Sequence, residues 1–310
     1  MRRAWVLTAL LLPALLPATS GDDLIVSVRS ALAFNNFGLA ESEIATYRGH
    51  SGTTPAVLEA LSWVARGALA AKNMDKAASC AADARRLVLE VVKKKPLDAD
   101  RHLPVALGNS IEVQAQLLTA QGRRSEALAF LTQERTTWAK TSLRARIQKN
   151  IHLLSLEGKP APPLDVSQWL GPKPAGLAAW RGYPVLVFFW AHWCGDCKGE
   201  VADIARLIAD YQQQGLLVVG PTQHYGYVAR GQEADPATEL RYIDLVRQQY
   251  YAALASMPVP VSEENFKAWG ASTTPTLVLL DRKGLVRMYH PGTMPYADLV
   301  AQVQAVLKRP

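Results

Sequence analysis

The sequence predicts an α/β domain in the C-terminal half, a mixed sheet flanked by helices, preceded by an all-α domain of helical hairpins. Three observations carry this. Apolar residues recur at helical spacing from about residue 24 to 156. Gly158-Lys159-Pro160-Ala161-Pro162-Pro163 then removes backbone donors and stops the helical pattern. Beyond it, apolar runs of strand length alternate with helical faces, an α/β order. With 310 residues, 49% hydrophobic and 20% charged, the chain is globular in composition and long enough to bury a core without disulfide staples.

Residues 1–20 read as a secretory signal peptide. Arg2 and Arg3 precede an apolar run, Ala4 to Leu16, and Ala18-Thr19-Ser20 supplies small residues before Gly21. The run is shorter than the ~20 apolar residues that span a bilayer, and Pro13 and Pro17 interrupt it; an uncleaved membrane anchor is the alternative. The expected product is exported, periplasmic or secreted. Without Arg2 and Arg3 the net charge falls from +7 to +5, and the densest basic run, Lys93-Lys94-Lys95, reads as a solvated helix end, so no nucleic-acid partner is inferred.

Residues 21–157 form the expected helical domain. One series runs through Leu58, Leu61, Val64, Ala65, Ala68, Leu69, Ala77, Ala78, Ala81 and Leu87; another runs through Ile111, Val113, Leu117, Leu118, Ala127, Leu128 and Leu131. Each crosses a polar turn, Lys72 to Asp75 or Gln121 to Arg124, and Phe37 to Glu41 marks the turn of an earlier unit. The outline resembles tetratricopeptide-type hairpins. Ala77 and Ala127, however, lie fifty residues apart rather than about 34, and a generic helical bundle fits equally.

In residues 158–310, Val185 to Phe189 is a buried parallel strand. Val201, Ile204, Ala205, Ile208 and Tyr211 line one helix face, and Leu216 to Val219 is a second strand. Thr276 to Leu280 and Leu285 to Tyr289 flank Asp281-Arg282-Lys283-Gly284 as a hairpin, and Thr293 is placed to cap the last helix.

Three cysteines are present: Cys194 and Cys197 in a C-x-x-C, and Cys80 far away on an apolar helical face, read as a buried, inert thiol. The pair sits where a strand ends and a helix begins. Unpaired N–H groups and partial positive charge at that end favour a thiolate at Cys194, and Cys197 follows one turn later. This arrangement serves thiol–disulfide exchange: Cys194 attacks a partner disulfide and Cys197 resolves the mixed disulfide. No cofactor beyond the redox-active disulfide is required.

These residues resemble the thioredoxin superfamily, most closely its exported TlpA-like thiol:disulfide oxidoreductases. The resemblance covers roughly residues 158–308 and rests on the Gly-x-Pro-Ala-Pro entry, Trp180-Arg181-Gly182-Tyr183-Pro184, Trp190-x-x-Trp193-Cys194-x-x-Cys197-Lys198, and Thr274-Pro275-Thr276 before a strand and an Asp-x-x-Gly turn. It implies a cis Pro275 facing the disulfide, with Trp193, Thr274 and Pro275 at the substrate site. It also implies protein thiols or disulfides as partners, a membrane or periplasmic electron donor, and a further protein partner for the helical domain. Thioredoxins carry a buried aspartate where Phe188 stands here; Glu200 takes the proton-handling role instead, against the alternative of a surface carboxylate. Asp196, beside Cys194, opposes the thiolate and favours a reductant or isomerase over an oxidase. His192 either tunes Cys194 or sits on the rim without a special role.

Residues 221–236 form a long loop bordering the Cys194 edge, carrying His224, Tyr225, Tyr227 and Arg230, and are read as a partner-recognition loop or a plain surface loop. Three rival functions stand beside exchange. Copper(I) handling would use the same two thiols. A peroxiredoxin-like peroxidase shares the fold, but such enzymes usually place threonine where Ala191 stands. A helical partner-binding protein with an accessory redox domain is the third.

Overall fold

The computed structural model describes residues 20–308. The expected leader therefore lies, apart from Ser20, outside the described residues. Among the described residues no helix is long and apolar enough to cross a membrane. The chain divides into two compact units, Met1–Leu117 and Leu118–Pro310.

The first unit contains α1 (Gly21–Ala33), α2 (Phe37–Ser51), α3 (Pro55–Ala70), α4 (Met74–Val92) and most of α5 (His102–Ala120). Three helices, α1, α3 and α5, end in the same way. Asn35, Lys72 and Gly122 adopt left-handed backbone (φ 55°, 59° and 76°). The next residue then donates its N–H five residues back: Asn36 to Ala31, Asn73 to Ala68, Arg123 to Leu118. Asn36 and Asn73 go on to cap the following helices through Leu39 and Lys76. The first turn is thus Phe34 to Asn36; Phe37 to Glu41, expected as a turn, opens α2 because Asn36 caps it. Cys80 is half-buried rather than buried; desolvation pushes its thiol pKa up and keeps it protonated.

In the second unit α6 (Arg124–Thr137) and α7 (Leu143–Ser155) precede a sheet in the order β3-β2-β5-β6. The strands are β2 (Val185–Phe189), β3 (Leu217–Val219), β5 (Thr276–Leu280) and β6 (Val286–Pro291). A two-residue antiparallel pair, β1 (Trp169–Leu170) with β4 (Val259–Pro260), stands apart. β2 runs parallel to β3 and antiparallel to β5, which forms the expected hairpin with β6. Asp281 shapes that hairpin by accepting the N–H groups of Lys283 and Leu285, each at 2.9 Å.

Strand periodicity sorts β2 onto two faces. Leu186 and Phe188 pack with Ile204, Leu207, Leu299 and Val303 from α9 (Val201–Tyr211) and α12 (Tyr296–Leu307). Val185, Val187 and Phe189 pack with Phe266 and Trp269 from α11 (Glu263–Trp269). α12 begins after Pro295, not at a Thr293 cap. The expected cap fails at Pro295, which has no N–H for the Thr293 side chain to accept and whose own backbone is extended (ψ 137°); the Met294 N–H bonds the Glu200 carboxylate at 3.2 Å. Helix α10 (Pro236–Tyr250) opens with Asp235 capping Ala237 and Thr238.

The element type changes at the proline-rich segment, whereas the compact units divide earlier. The reason is α7. His152 Nε2 lies 3.0 Å from the Ala268 carbonyl of α11, and Leu156 joins the core beneath the sheet. Gly270 ends α11 in left-handed backbone, where a Cβ would fall 2.4 Å from the Lys149 nitrogen. Backbone therefore meets backbone, which only glycine allows. Gly270→Ala combines a left-handed penalty with overpacking and is expected to lower stability by about 2–4 kcal/mol, read as the shift in urea midpoint.

Candidate active site

The site is assembled by chain direction. β2 and β3 are parallel, so their C-terminal ends share one edge; β5 is antiparallel and begins there, with Thr276 opposite Phe189. The loop Trp190–Trp193, the segment after Val219 and Thr274-Pro275 therefore meet at that edge. Trp190 fastens the first two. It is fully buried, its N–H bonds the Pro221 carbonyl, its indole Nε1 donates to Gly220 (2.8 Å), and its carbonyl accepts from Thr222 Oγ1 (2.9 Å).

From this edge α8 (Gly195–Gly199) starts with Cys194 as its N-cap. Cys194 and Cys197 form a disulfide with Cα atoms 5.3 Å apart, and the Cys197 N–H donates to Cys194 Sγ at 3.0 Å. Cys194 is 3% exposed and Cys197 is fully buried, so the first sulfur is only slightly the more accessible. Asp196 is exposed on the first turn. Trp193, half exposed, stands beside the pair with its ring 5.5 Å from Tyr225. The Thr274–Pro275 bond is cis, and the Pro275 carbonyl is held by the Gly292 N–H. Phe188 is buried against Tyr251, so this strand position holds no carboxylate.

Glu200 lies at the junction of α8 and α9, three residues beyond Cys197. It is buried, not a surface carboxylate. Oε1 accepts from Met294, while Oε2 is buried with no partner. Burial pushes its pKa above the usual carboxylate value, partly opposed by the Met294 hydrogen bond.

His192 is buried, not on the rim. Its ring is enclosed edge-on by Tyr225, Tyr227 and Tyr242, with centroids 5.3–5.5 Å away. Its Nε2 lies 3.3 Å from Oε1 of Glu239. Desolvation lowers the His192 pKa against the attraction of that carboxylate. Glu239, on α10, has no solvent exposure and accepts the N–H groups of Tyr225 (2.6 Å) and Gly226 (2.9 Å). It thereby ties the loop 221–236 to the histidine next to Cys194. The sequence reading missed Glu239. The only signal was an acid in the first turn after Asp235-Pro236, a pattern equally natural for a solvated helix start.

The loop itself is ordered by a small bridge between Tyr227 and Glu233 and by a tight turn with Arg230 and Gly231 left-handed (φ 58° and 73°). Among the described residues no group of three or more His, Cys, Asp or Glu side chains is arranged to hold a metal ion.

Glu239→Gln would turn an amide NH2 towards one of the two loop N–H donors. Losing a charge-assisted hydrogen bond of about 1.5–3 kcal/mol is expected to speed hydrogen exchange at Tyr225 or Gly226 by roughly 10- to 100-fold, measured by NMR or mass spectrometry.

Residues 176–307 match the family model described as a thioredoxin-like domain. The chain is 27% identical over 144 residues to the thioredoxin-like protein YneN of Bacillus subtilis (strain 168), covering 46% of this chain and 76% of that protein. It is 23% identical over 134 residues to the thiol-disulfide oxidoreductase ResA of Geobacillus thermodenitrificans (strain NG80-2), covering 42% and 67%. A crystal structure from Chlorobium tepidum, described as a thiol:disulfide interchange protein DsbE, aligns at 24% identity and a TM-score of 0.39, covering 49% of this chain and 97% of that one. Residues 176–307 thus match a thioredoxin-like domain, and Cys194 and Cys197 form a disulfide within it.

Proposed function

We propose that the protein is exported, with residues 1–20 as its leader, and exchanges the Cys194–Cys197 couple with protein partners as a reductant or isomerase rather than an oxidase. The observation that carries the exchange reading is the disulfide itself. It sits at a helix start, with Cys197 sealed from solvent and Thr274-Pro275 at the same sheet edge.

In the reduced protein the Cys194 thiolate attacks one sulfur of a partner disulfide. The partner's S–S bond breaks, an intermolecular S–S bond forms, and a partner thiolate leaves. Cys197 then loses its proton and attacks Cys194 Sγ, which releases the second partner thiolate. Two electrons pass to the partner, and the Cys194–Cys197 disulfide forms. A thiol donor, membrane-bound or periplasmic, must restore the dithiol.

The Cys197 N–H aimed at Cys194 Sγ supports the thiolate. Glu200, buried with one free oxygen and a raised pKa, is the group we assign to accept the Cys197 proton. Asp196 supports the direction. Its negative charge beside Cys194 disfavours the thiolate and so weakens the couple as an oxidant. Trp193, Thr274 and Pro275 form the contact surface for the partner chain, and His192, fixed by Glu239, holds the loop against it. The helical hairpins of the first unit are proposed to engage a further protein partner.

A Cys197→Ser variant is expected to accumulate mixed disulfides with its partners, and Cys194→Ser to form none; non-reducing electrophoresis reads both. A couple near ~−270 mV would support a reductant, and one near ~−120 mV would reverse the direction. Glu200→Gln is expected to slow resolution by roughly 100-fold in stopped-flow traces. It should also change stability in a defined sense. Because the folded pKa is raised, the folded state holds the proton more tightly, and wild-type stability falls as pH rises from the ordinary glutamate value of 4.5 through the folded value. The glutamine variant should lack that fall in urea titrations across pH.

A further inference from the structure

A groove of about 900 Å3 opens beside the redox pair within the second unit. Trp193, Tyr225 and Thr274 line it, together with Lys140 from the turn between α6 and α7 and Arg144 from the first turn of α7. Such a turn would be a poor wall if it moved freely. Here α7 is held by the backbone contact at Gly270 and by His152 against Ala268, and it carries the turn with it.

Two features of the lining describe the ligand. Gln223 Oε1 and Thr274 Oγ1 are buried without hydrogen-bond partners. Buried polar atoms are normally satisfied, and a polypeptide backbone brings donors along its length. The charges are also unbalanced. Lys267 is shared by Glu263 (3.0 Å) and Glu264 (2.8 Å), and Arg144 stands 3.7 Å from Glu264. Lys140 is exposed and has no carboxylate partner among the described residues. Three cations thus face two carboxylates, and the surplus lies on the α6–α7 side.

We propose that the α6–α7 turn is the outer wall of the substrate groove and selects disulfide-bearing polypeptide segments with acidic residues flanking the reacting cysteine. This rests on the exchange reading above and adds its specificity. The thioredoxin-like half supplies the chemistry, and Lys140 with Arg144 supplies charge recognition along the groove.

The test uses the full chain in its reduced form and three disulfides: a small aromatic disulfide reagent, and two synthetic peptides closed by the same disulfide, one with aspartate flanks and one with lysine flanks. The wild type is expected to show a lower KM for the acidic peptide. Lys140→Glu is expected to lower the ratio of kcat/KM for acidic over basic peptide by roughly 3- to 10-fold, mainly through KM, and Arg144→Gln to move it the same way by less. Equal KM values for the two peptides in the wild type, or a ratio unmoved by Lys140→Glu while both peptides turn over, would overturn the proposal and leave exchange standing. Failure to reduce all three disulfides would overturn the exchange reading and this proposal together.

Discussion

Strand β2 has a parallel neighbour on one side and an antiparallel neighbour on the other, and the site follows from that pairing. The two C-terminal ends and one N-terminal start share a sheet edge, so three segments far apart in sequence converge there. Trp190 holds this convergence in place. Its backbone and indole use three hydrogen bonds on residues 220–222, and its ring packs 4.4 Å from Tyr251. A Cβ at Gly220 would lie 2.5 Å from Met257 Cε and 3.2 Å from Trp190 Nε1, so a larger residue there would displace the Met257 side chain. The disulfide is thus mounted on a crossing that is covalent, hydrogen-bonded and packed at once.

Around that crossing the two buried acids differ in how fully they are paired. Both Glu239 oxygens are engaged, Oε1 by the Tyr225 N–H and His192 and Oε2 by the Gly226 N–H with His224 Nδ1 3.4 Å away, so it holds shape. Glu200 differs, because one oxygen has a partner and the other has none. An unsatisfied buried carboxylate costs stability whatever its use. Its place three residues beyond Cys197 fits the proton-accepting role proposed above.

Local patterns made the β2 run, the β5–β6 hairpin and the C-x-x-C pair legible in the sequence, because strand burial, an Asp-x-x-Gly turn and a short cysteine spacing are each written in a few adjacent residues. The cis Thr274–Pro275 bond was legible through resemblance alone. What could not be read was decided by contacts over long separations. Glu239 looks like an ordinary first-turn acid until residues 225 and 226 fold over it. His192, at a strand end beside the cysteine pair, looks like a rim residue until three tyrosines from the loop and α10 enclose it. α11 spans only seven residues, too few to establish a helical period.

The division between the two compact units shows the same principle at larger scale. The proline-rich segment marks a change of secondary structure, and segments of this kind often mark linkers. Here it runs along the sheet: the Gly158 N–H bonds Val286, the Ala161 N–H bonds Gly284, and the Pro163 carbonyl accepts from Trp269 Nε1. A chain tied down at three points does not separate what lies on either side of it. α7, immediately before it, meets α11 backbone to backbone at Gly270, a contact that tolerates no side chain. Helices α6 and α7 therefore belong physically to the catalytic half, although their sequence pattern continues the helical hairpins.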